Sequence, residues 1–315
     1  FRVLDVGGKT RFERSLGAEI TAVTGFAANG AMRYFAAVAP EKIDGDARLV
    51  AFDSAGKELW SEKFGVFQAR NGTIRTLFPA RLDKGGLPSL VAGNEGWHYF
   101  AYTPDGQLKW KRQVYHGATA GAAADLDGDG LDEIIAGAEY YYHQLLGPDG
   151  KVIFQKNTAP WNYAVAAIDL DGDGKSEALC GRSDGRIHVM TPPGGSKLEI
   201  DSLPAGGIPA GIVPFAGNGG KFAAATADGR VLFYDGAGKA VKALDLPADL
   251  AGIAVRGDEI VAAGLDGRAY LVKADGSFRA VKLGAAAPLR LSPPAPAAVG
   301  TTAAVAVGDA LYLIH

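Results

Sequence analysis

The sequence predicts an all-β fold, a seven-bladed β-propeller that is closed by pairing of its N- and C-terminal strands. A hairpin phrase recurs about every 38 to 50 residues, which is the period of a four-stranded blade. Helical periodicity is nearly absent, and 44 of the 315 residues are glycine, as an all-β protein with many tight turns requires. We expect one domain over residues 1–315, because closed all-β architectures often reach this length as a single unit.

The recurring phrase is a strand that ends near Asp or Pro, a turn glycine, and a second strand. Its clearest copies are AFDSAGKELW, AYTPDGQLKW and LLGPDGKVIF, at residues 51–60, 101–110 and 145–154. The turn glycines of all copies are Gly8, Gly56, Gly106, Gly150, Gly195, Gly238 and Gly276. Each interval contains two further alternating segments, so four short strands fit in each blade.

The predicted blades follow from these turns. Six blades are expected at about residues 18–64, 65–115, 116–158, 159–202, 203–246 and 247–283. In the seventh, a split blade, residues 284–315 supply inner strands and residues 1–17, with the strand TRFERSL, supply the outer strand. This pairing would remove the exposed edges of an open sheet. Residues 1–5 and 311–315 both look like a third strand, so eight blades, or a chain cut from a longer protein, stay as alternatives.

Two neighbouring blades carry the same acidic phrase, AADLDGDGLDEIIAG at 123–137 and AIDLDGDGKSEALCG at 167–181. Carboxylates at positions one, three, five and nine can converge on one hard cation, with the carbonyl at position seven as a further ligand. Without a cation, carboxylates this close would repel one another. We predict two structural Ca²⁺ ions, held by Asp125, Asp127, Asp129, Leu131 and Glu133, and by Asp169, Asp171, Asp173, Lys175 and Glu177. An EF-hand is excluded, since it needs a Glu at position twelve and flanking helices.

The acidic loops resemble FG-GAP or VCBS repeats, the propeller repeats also found in integrin α subunits. Both loops match at all four carboxylate positions, whereas Leu82-Asp83-Lys84-Gly85 in the second blade is degenerate. The resemblance implies that the metal loops join the first two strands of a blade, on its lower face, and stabilise the fold. The phrases GKELW and GQLKW are also similar to quinoprotein propeller repeats, but no set of cofactor-binding residues accompanies them, so we expect no quinone.

The connections expected on the opposite face differ around the ring. Three blades have a plain Asp-Gly-Arg hairpin, at 184–186, 228–230 and 266–268. The second and third blades instead have Gly96-Trp97-His98 and Tyr140-Tyr141-Tyr142. Aromatic rings beside hydrogen-bonding groups suit a sugar-binding groove. The predicted ligand-binding residues are Arg70, Asn71, Glu95, Trp97, His98, Glu139, Tyr140, Trp161, Asn162, Tyr163 and Arg182. The alternative is that several of these aromatic residues only pack between blades.

Two functions compete at this face. The first is a secreted, calcium-stabilised propeller that binds a polysaccharide and, as a lyase or glycosidase, cleaves it. The candidate catalytic residues of a lyase are His116 and His143 as the base and Tyr141 and Tyr142 as the acid. Arg70 or Arg182 would neutralise a uronate carboxylate, whereas a glycosidase would use Glu95 and Glu139. The second function is non-catalytic, a lectin-like or adhesion and protein-interaction module. Fold alone does not choose between them.

Charge and hydropathy exclude other classes of function. The net charge is −3, the sequence has no strong nucleic-acid signal, and no apolar run reaches 18 residues, so we expect neither a nucleic-acid partner nor a membrane span. The one cysteine, Cys180, allows no internal disulfide and is expected to be buried. Loops of this kind suit the millimolar calcium found outside cells, so we expect the protein to be secreted, periplasmic or on the cell surface. We also expect a monomer.

Overall fold

A computed structural model describes residues 1–4, 10–42, 44–191, 195–200, 207–217, 219–282, 289–291, 303–307 and 310–314. The regular elements of these residues are β-strands. No helix in this part of the chain is long and apolar enough to cross a membrane. The turn glycine Gly8 lies outside the described residues.

The strands form short antiparallel sheets in chain order. An N-terminal hairpin contains β1 (Arg2–Leu4) and β2 (Thr10–Glu13). Sheet 1 contains β3 (Ile20–Ala28), β4 (Ala31–Val38), β5 (Ala47–Phe52) and β6 (Glu58–Phe64). Sheet 2 contains β7 (Ile74–Ala80), β8 (Ser89–Asn94), β9 (His98–Tyr102) and β10 (Leu108–Gln113). Sheet 3 contains β11 (Ala118–Ala124), β12 (Glu133–Ala138), β13 (Tyr141–Leu146) and β14 (Val152–Ala159).

The same order continues toward the C-terminus. Sheet 4 contains β15 (Asn162–Ile168), β16 (Glu177–Arg182), β17 (Ile187–Thr191) and β18 (Gly195–Ile200). Sheet 5 contains β19 (Pro209–Gly217), β20 (Gly220–Thr226), β21 (Arg230–Tyr234) and β22 (Ala240–Asp245). Sheet 6 contains β23 (Leu250–Arg256), β24 (Glu259–Gly264), β25 (Arg268–Lys273) and β26 (Phe278–Lys282). A C-terminal sheet contains β27 (Leu289–Leu291), β28 (Ala303–Val307) and β29 (Ala310–Ile314).

The described part of the chain thus has an all-β fold with six four-stranded sheets. Second strands such as β8, β12 and β24 are buried along their whole length, because other sheets cover both of their faces. Fourth strands such as β22 alternate between exposed and half-buried residues, so they form the rim. The first strands of sheets 1 to 6 follow one another side by side and together line one cavity of about 400 Å³.

The two ends of the chain come together, though not as the sequence predicts. The strand TRFERSL was expected to pair directly with C-terminal strands. Instead β2 pairs with β1, and β1 is the strand that adjoins β29. The C-terminal sheet lies between sheet 6 and sheet 1, since β27 adjoins β23 and β28 adjoins β3. The β1–β2 pairing is that of the hairpin phrase predicted around Gly8, so the difference lies in which of its two strands adjoins the C-terminal strands.

The aromatic residue of the repeated phrase connects each sheet to the next. Trp60 in β6 and Trp110 in β10 each donate an Nε1 hydrogen bond, at 2.9 Å, to Pro104 O and Pro148 O of the following sheet. Each indole ring lies flat against a turn glycine, and a Cβ added at Gly150 would lie 2.7 Å from Trp110 Cδ2. The turn therefore needs glycine both for this close approach and for its φ of 75°.

Candidate functional site

The two ends of each sheet carry different connections. In an antiparallel sheet, the link between the first and second strands and the link between the second and third lie at opposite ends. The acidic loops connect β11 with β12 and β15 with β16. The segments with Trp97 and Tyr141 connect β8 with β9 and β12 with β13. The candidate metal ligands and the candidate ligand-binding residues therefore lie at opposite ends of the strands.

The first acidic loop gathers three carboxylates. One oxygen from each of Asp125, Asp127 and Glu133 lies within 4.8 Å of the other two. Glu133 is buried and accepts a hydrogen bond from the Leu126 amide at 2.8 Å. Burial raises the pKa of Glu133 to about 7, with a further contribution from the neighbouring aspartates and partial opposition from the Leu126 amide. A cation would relieve this burial of negative charge, so the donor set fits a hard divalent ion.

The second acidic loop repeats the arrangement with Asp169, Asp171 and Glu177. Glu177 is again buried. Its carboxylate accepts a hydrogen bond from the Leu170 amide at 3.0 Å, as Glu133 does in the first loop. Two loops with the same buried glutamate and the same flanking aspartates therefore offer two equivalent sites.

The fifth-position aspartates have another contact. Asp129 Oδ1 accepts the Leu131 amide and Asp173 Oδ1 accepts the Lys175 amide, each at 2.8 Å. Neither carboxylate belongs to the triads found among the described residues. The structure thus brings together three of the four predicted carboxylates in each loop. Coordination by the carbonyls of Leu131 and Lys175 stays a prediction.

Asp132 has a role that the sequence did not indicate. It is fully buried, and its carboxylate accepts the Arg81 amide at 2.6 Å and lies 3.1 Å from the Arg81 guanidinium. Arg81-Leu82-Asp83 of sheet 2 corresponds to Asp125-Leu126-Asp127 of the first acidic loop. Arg81 therefore occupies the position of the first aspartate. Sheet 2 therefore has an arginine in place of a metal ligand, and this arginine joins sheet 2 to the first acidic loop.

At the other end, the pairing registers of sheets 2 to 6, continued past the last paired residues, place three residues between the second and third strands, although β13 already begins at Tyr141 and β17 begins only at Ile187. The last loop residue has a left-handed backbone, which normally calls for glycine. It is glycine in sheets 4, 5 and 6, namely Gly185, Gly229 and Gly267, with φ of 82°, 93° and 79°. In sheets 2 and 3 it is Trp97 and Tyr141, with φ of 64° and 62°.

These two aromatic residues belong to a group of rings that we call the aromatic surface. Its members are Trp97, Tyr115, His116, Tyr140, Tyr141, Tyr142, Trp161 and Tyr163. His116 is central, with its ring centroid 4.8 Å from that of Trp97, 5.5 Å from Tyr140 and 5.2 Å from Tyr141. Tyr140 continues to Trp161 at 5.3 Å. Tyr115, Tyr140, Tyr141 and Tyr163 are 39–52% exposed, so the group presents rings to solvent.

A network of charges supports the aromatic surface from below. Glu139, the first residue of the loop in sheet 3, is fully buried and lies 3.1 Å from the Arg70 guanidinium and 3.4 Å from that of Arg75. Arg75 also donates to Glu95 at 2.8 Å. The two carboxylates are thus held by two guanidinium groups, and the four formal charges cancel. Both loops that carry an aromatic tip are anchored in this way.

The structure separates the remaining predicted residues into two groups. Asn71 accepts the Thr73 amide at 3.1 Å and lies beside this network, and Arg182 pairs with Asp184 at 2.8 Å. Three predicted residues are buried between sheets and do not reach the aromatic surface, namely His98, His143 and Asn162. In β13 every residue from His143 onward is buried, so His143 lies where neighbouring sheets cover both faces of the strand. In this structure the His143 side chain is therefore not accessible to a ligand at the aromatic surface.

His143 gives a prediction about acid stability. Neither ring nitrogen has a hydrogen-bond partner among the described residues, and burial, with the nearby His188, lowers the pKa of His143 to about 3. The unfolded chain takes up this proton near pH 6.5, whereas the folded chain does not. Stability is therefore complete above pH 6.5 and is lost as the pH falls toward 3, by about 2 kcal/mol at pH 5. Urea unfolding at pH 7 and pH 5 measures this loss.

The matched variant is His143→Leu. A leucine of similar size removes an unpartnered polar group, so we expect unchanged or higher stability at pH 7 and a smaller loss at pH 5. An equal loss at pH 5 in wild type and variant would show that other groups cause the acid dependence.

The first acidic loop and the overall fold both have counterparts among known proteins. Residues 117–153, which contain the first acidic loop and most of sheet 3, match the model of the FG-GAP repeat. No curated protein matches the chain. The chain is similar in structure to BBS1N, solved in complex with ARL6DN, with a TM-score of 0.70, 14% identity, and coverage of 94% of this chain and 91% of that one.

Two further solved structures share the fold. Sqt1 of Saccharomyces cerevisiae has a TM-score of 0.64 and 15% identity, with 90% of this chain and 80% of that one covered. The computationally designed Ika8 protein has a TM-score of 0.61 and 13% identity, with 96% and 97% covered. Identities this low establish the fold and nothing more. The chain thus contains an FG-GAP repeat, at residues 117–153, within an all-β fold of the propeller type.

Proposed function

We propose that this protein is a non-catalytic interaction module that binds a protein partner through the aromatic surface. The observation that carries the proposal is the pair of residues at the left-handed loop position. Trp97 and Tyr141 stand where three equivalent loops have glycine, and each costs the fold about 1–2 kcal/mol in backbone strain. A residue kept at such a cost, and half exposed as Tyr141 is, contributes little to folding. Binding is the role that accounts for it.

The chemistry of the surface suits a protein partner. Tyrosine and tryptophan dominate the energetically important contacts of protein interfaces, because they bury much area at little cost in side-chain entropy. The supporting charges are already paired within the protein, so the surface offers rings and phenol hydroxyls and no net charge. The structurally similar BBS1N was solved in a complex with another protein, which is compatible with this use of the fold.

Cleavage of a polysaccharide receives no support. His143 is buried, which removes one of the two candidate bases. Glu139 is buried and Glu95 is bound to Arg75, so neither stands free as the acid or nucleophile of a glycosidase. The non-catalytic alternative is therefore the better one.

Selection from a displayed random-peptide library tests the proposal. We expect selected peptides to bind the wild-type protein and to bind Tyr141→Gly at least tenfold more weakly. The variant should keep or gain stability, by up to about 1 kcal/mol, because glycine relieves the left-handed strain. Ordinary structural residues lose stability when truncated, so the combination of weaker binding and undiminished stability is specific to this proposal.

The control is Leu265→Ala. Leu265 is 45% exposed in the equivalent loop of sheet 6, so the change removes a similar apolar side chain from the same face. Peptide binding should be unchanged. If no peptide is selected, or if selected peptides bind Tyr141→Gly as tightly as wild type, the interaction proposal fails.

We also propose that each acidic triad holds one Ca²⁺ with a structural role. The support is the duplicated set of buried glutamate and flanking aspartates, together with the match to the FG-GAP repeat. Calcium would cross-link the start of the loop to the second strand of its own sheet. A need for millimolar calcium would be consistent with secretion or display on the cell surface.

The ring is proposed to have seven blades, with the C-terminal sheet and the N-terminal hairpin as the seventh. The support is the contact of β27 with β23, of β28 with β3 and of β29 with β1. In addition, Phe12 in β2 lies against the turn glycine Gly56, as Trp60 does against Gly106. The β2 strand thus behaves as the outer strand of a preceding blade. An experimental structure in which β1 and β29 are not neighbours would contradict this closure.

A further inference from the structure

Four rings of the aromatic surface form a row from sheet 2 to sheet 4. The ring centroids of Trp97 and His116 lie 4.8 Å apart. Tyr140 continues the row, 5.5 Å from His116 and 5.3 Å from Trp161. The Tyr140 ring stands nearly perpendicular to both of these neighbours, at 69° and 75°, and the residue is 43% exposed. The row therefore has a step on each side of Tyr140, and two rings form the walls of each step.

The row offers hydrogen-bond donors as well as ring faces. Within the described part of the chain, the Trp161 indole N–H and the Tyr140 and Tyr141 hydroxyls make no hydrogen bond. An indole N–H can only donate, and a phenol hydroxyl donates readily. A ligand that brings apolar groups and hydrogen-bond acceptors is therefore complementary to the row.

The carboxylates and amide oxygens nearby are already engaged. Glu139 is held by Arg70 at 3.1 Å, and Glu95 accepts a hydrogen bond from Arg75 at 2.8 Å. Asn71 Oδ1 accepts the Thr73 amide. A sugar, whose hydroxyls all donate, would find few free acceptors here. A proline-rich segment suits the row better, because each proline lacks an N–H and keeps its carbonyl.

The spacing of the row suits the polyproline II helix that such segments form. This helix has three residues per turn and no internal hydrogen bonds, so its carbonyls are open to donors. One turn rises about 9 Å, and the outer rings, His116 and Trp161, can be no farther apart than about 11 Å. Two prolines one turn apart can thus occupy the two steps beside Tyr140. Docking into aromatic-lined grooves is a common way of recognising this helix.

A negatively charged cleft lies beside the Trp97 end of the row. It has a volume of about 480 Å³ and lies between sheets 1 and 2. Its charged lining residues are Glu19, Glu41 and Lys42, together with the paired Arg75 and Glu95. The β4–β5 connection adds two exposed aspartates, Asp44 and Asp46. Four acidic groups outside the Arg75–Glu95 pair therefore stand against one lysine, and they favour a basic residue of the partner.

We propose that the partner of the aromatic surface is a proline-rich segment in the polyproline II conformation, with prolines in the two steps beside Tyr140 and a basic residue over the cleft. This inference rests on the proposed interaction function and adds the class of partner. The rings and donors hold the prolines and their carbonyls, and the charged cleft determines in which direction the segment lies.

The test measures binding of fluorescent peptides to the full chain by anisotropy. The proline probe has repeats of Pro-Pro-Ala with two lysines at each end, so it can bind in either direction. One matched probe has glycine and serine in place of every proline, and we expect it to bind about tenfold or more weakly. Another has glutamate in place of every lysine. It should bind about three- to tenfold more weakly, and this difference should shrink in high salt, which screens exposed charges.

Variants assign the binding to the row and the cleft. Tyr140→Ala removes the wall that both steps share and should weaken the proline probe about tenfold or more. Tyr140→Phe keeps the ring and loses the hydroxyl, so the loss should be about two- to fivefold, the equivalent of one hydrogen bond. Glu41→Lys should reduce the preference for lysine over glutamate. Glu58→Lys, on the exposed outer strand β6, should leave that preference unchanged.

The inference is overturned if the proline-free probe binds as tightly as the proline probe, or if Tyr140→Ala keeps full affinity. Equal binding of the lysine and glutamate probes would overturn the placement of the basic residue. Selected library peptides that lack proline and still depend on Tyr141 would overturn this inference and leave the interaction function in place. Binding of cellohexaose or chitohexaose, without binding of the proline probe, would overturn both. The comparison of probes needs only the wild-type protein, so it decides even if Tyr140→Ala does not fold.

Discussion

Removal of calcium is expected to lower the free energy of unfolding by about 5 kcal/mol. The comparison is between unfolding in free Ca²⁺ at 100 times its Kd and unfolding in the presence of a chelator. Each ion that binds only the folded chain contributes about 2.7 kcal/mol under these conditions, and two equivalent triads are present. Calorimetric titration should give two ions per chain. Without calcium the buried Glu133 and Glu177 would each lie beside two aspartates, and the Leu126 and Leu170 amides would offset this repulsion in part.

Matched variants locate this effect. Asp127→Ala with Asp171→Ala removes one carboxylate from each triad and should make unfolding insensitive to chelator, with little change in peptide affinity because the aromatic surface lies at the other end of the strands. Asp258→Ala changes an exposed aspartate in the corresponding β23–β24 turn and should leave the full calcium response. If a chelator leaves the unfolding midpoint of the wild type unchanged, calcium does not stabilise this fold.

The repeat could be read from the sequence because it depends on local chemistry. A turn that needs positive φ requires glycine, and Gly56, Gly106, Gly150, Gly238 and Gly276 have φ of 75–89° in the structure. The buried second strands and exposed fourth strands follow from apolar and polar composition in the same local way. The closure of the ring depends on which of two similar end segments pairs with which, and local composition does not determine that.

The site was predicted in part for the same reason. The contrast between Asp-Gly-Arg and the aromatic loops is a local signal, and the rings that it singled out around His116 and Tyr140 are in contact in the structure, while their role in binding stays a prediction. Where burial begins along such a strand depends on how far the neighbouring sheets cover it, and in β13 that cover begins at His143. The ion pair of Asp132 with Arg81 is not visible in local sequence, because the two residues are 51 positions apart.

The one-residue shifts in the pairing of the first strands of sheets 1 to 6 were not predicted, although a signal existed. The segments around Thr21, Arg75, Tyr163, Ala210 and Ala251 begin with alternation that slips by one residue, which is how a bulge looks in a sequence. Aligned repeats would have shown the slip at the same place in each. Repetition across blades is therefore informative about irregular features as well as regular strands.

Replacing Trp110 by alanine is expected to lower the free energy of unfolding by about 3 kcal/mol in urea denaturation. The indole fills the space over Gly150 in the next sheet and donates to Pro148 O at 2.9 Å, so truncation leaves a gap between two sheets and an unpaired carbonyl. Trp110→Phe keeps most of the ring and loses the hydrogen bond, and should cost about 1 kcal/mol.

Lys242 is the internal control: it occupies the same place between sheets 5 and 6, where its flexible chain lies against Gly276 and its ammonium group donates to Asp275 O. Because Lys242 contributes little buried apolar area, Lys242→Ala should cost less than about 1 kcal/mol. Equal losses at the two positions would mean that the aromatic ring has no special part in joining the sheets, and that the strand pairings alone stabilise the ring.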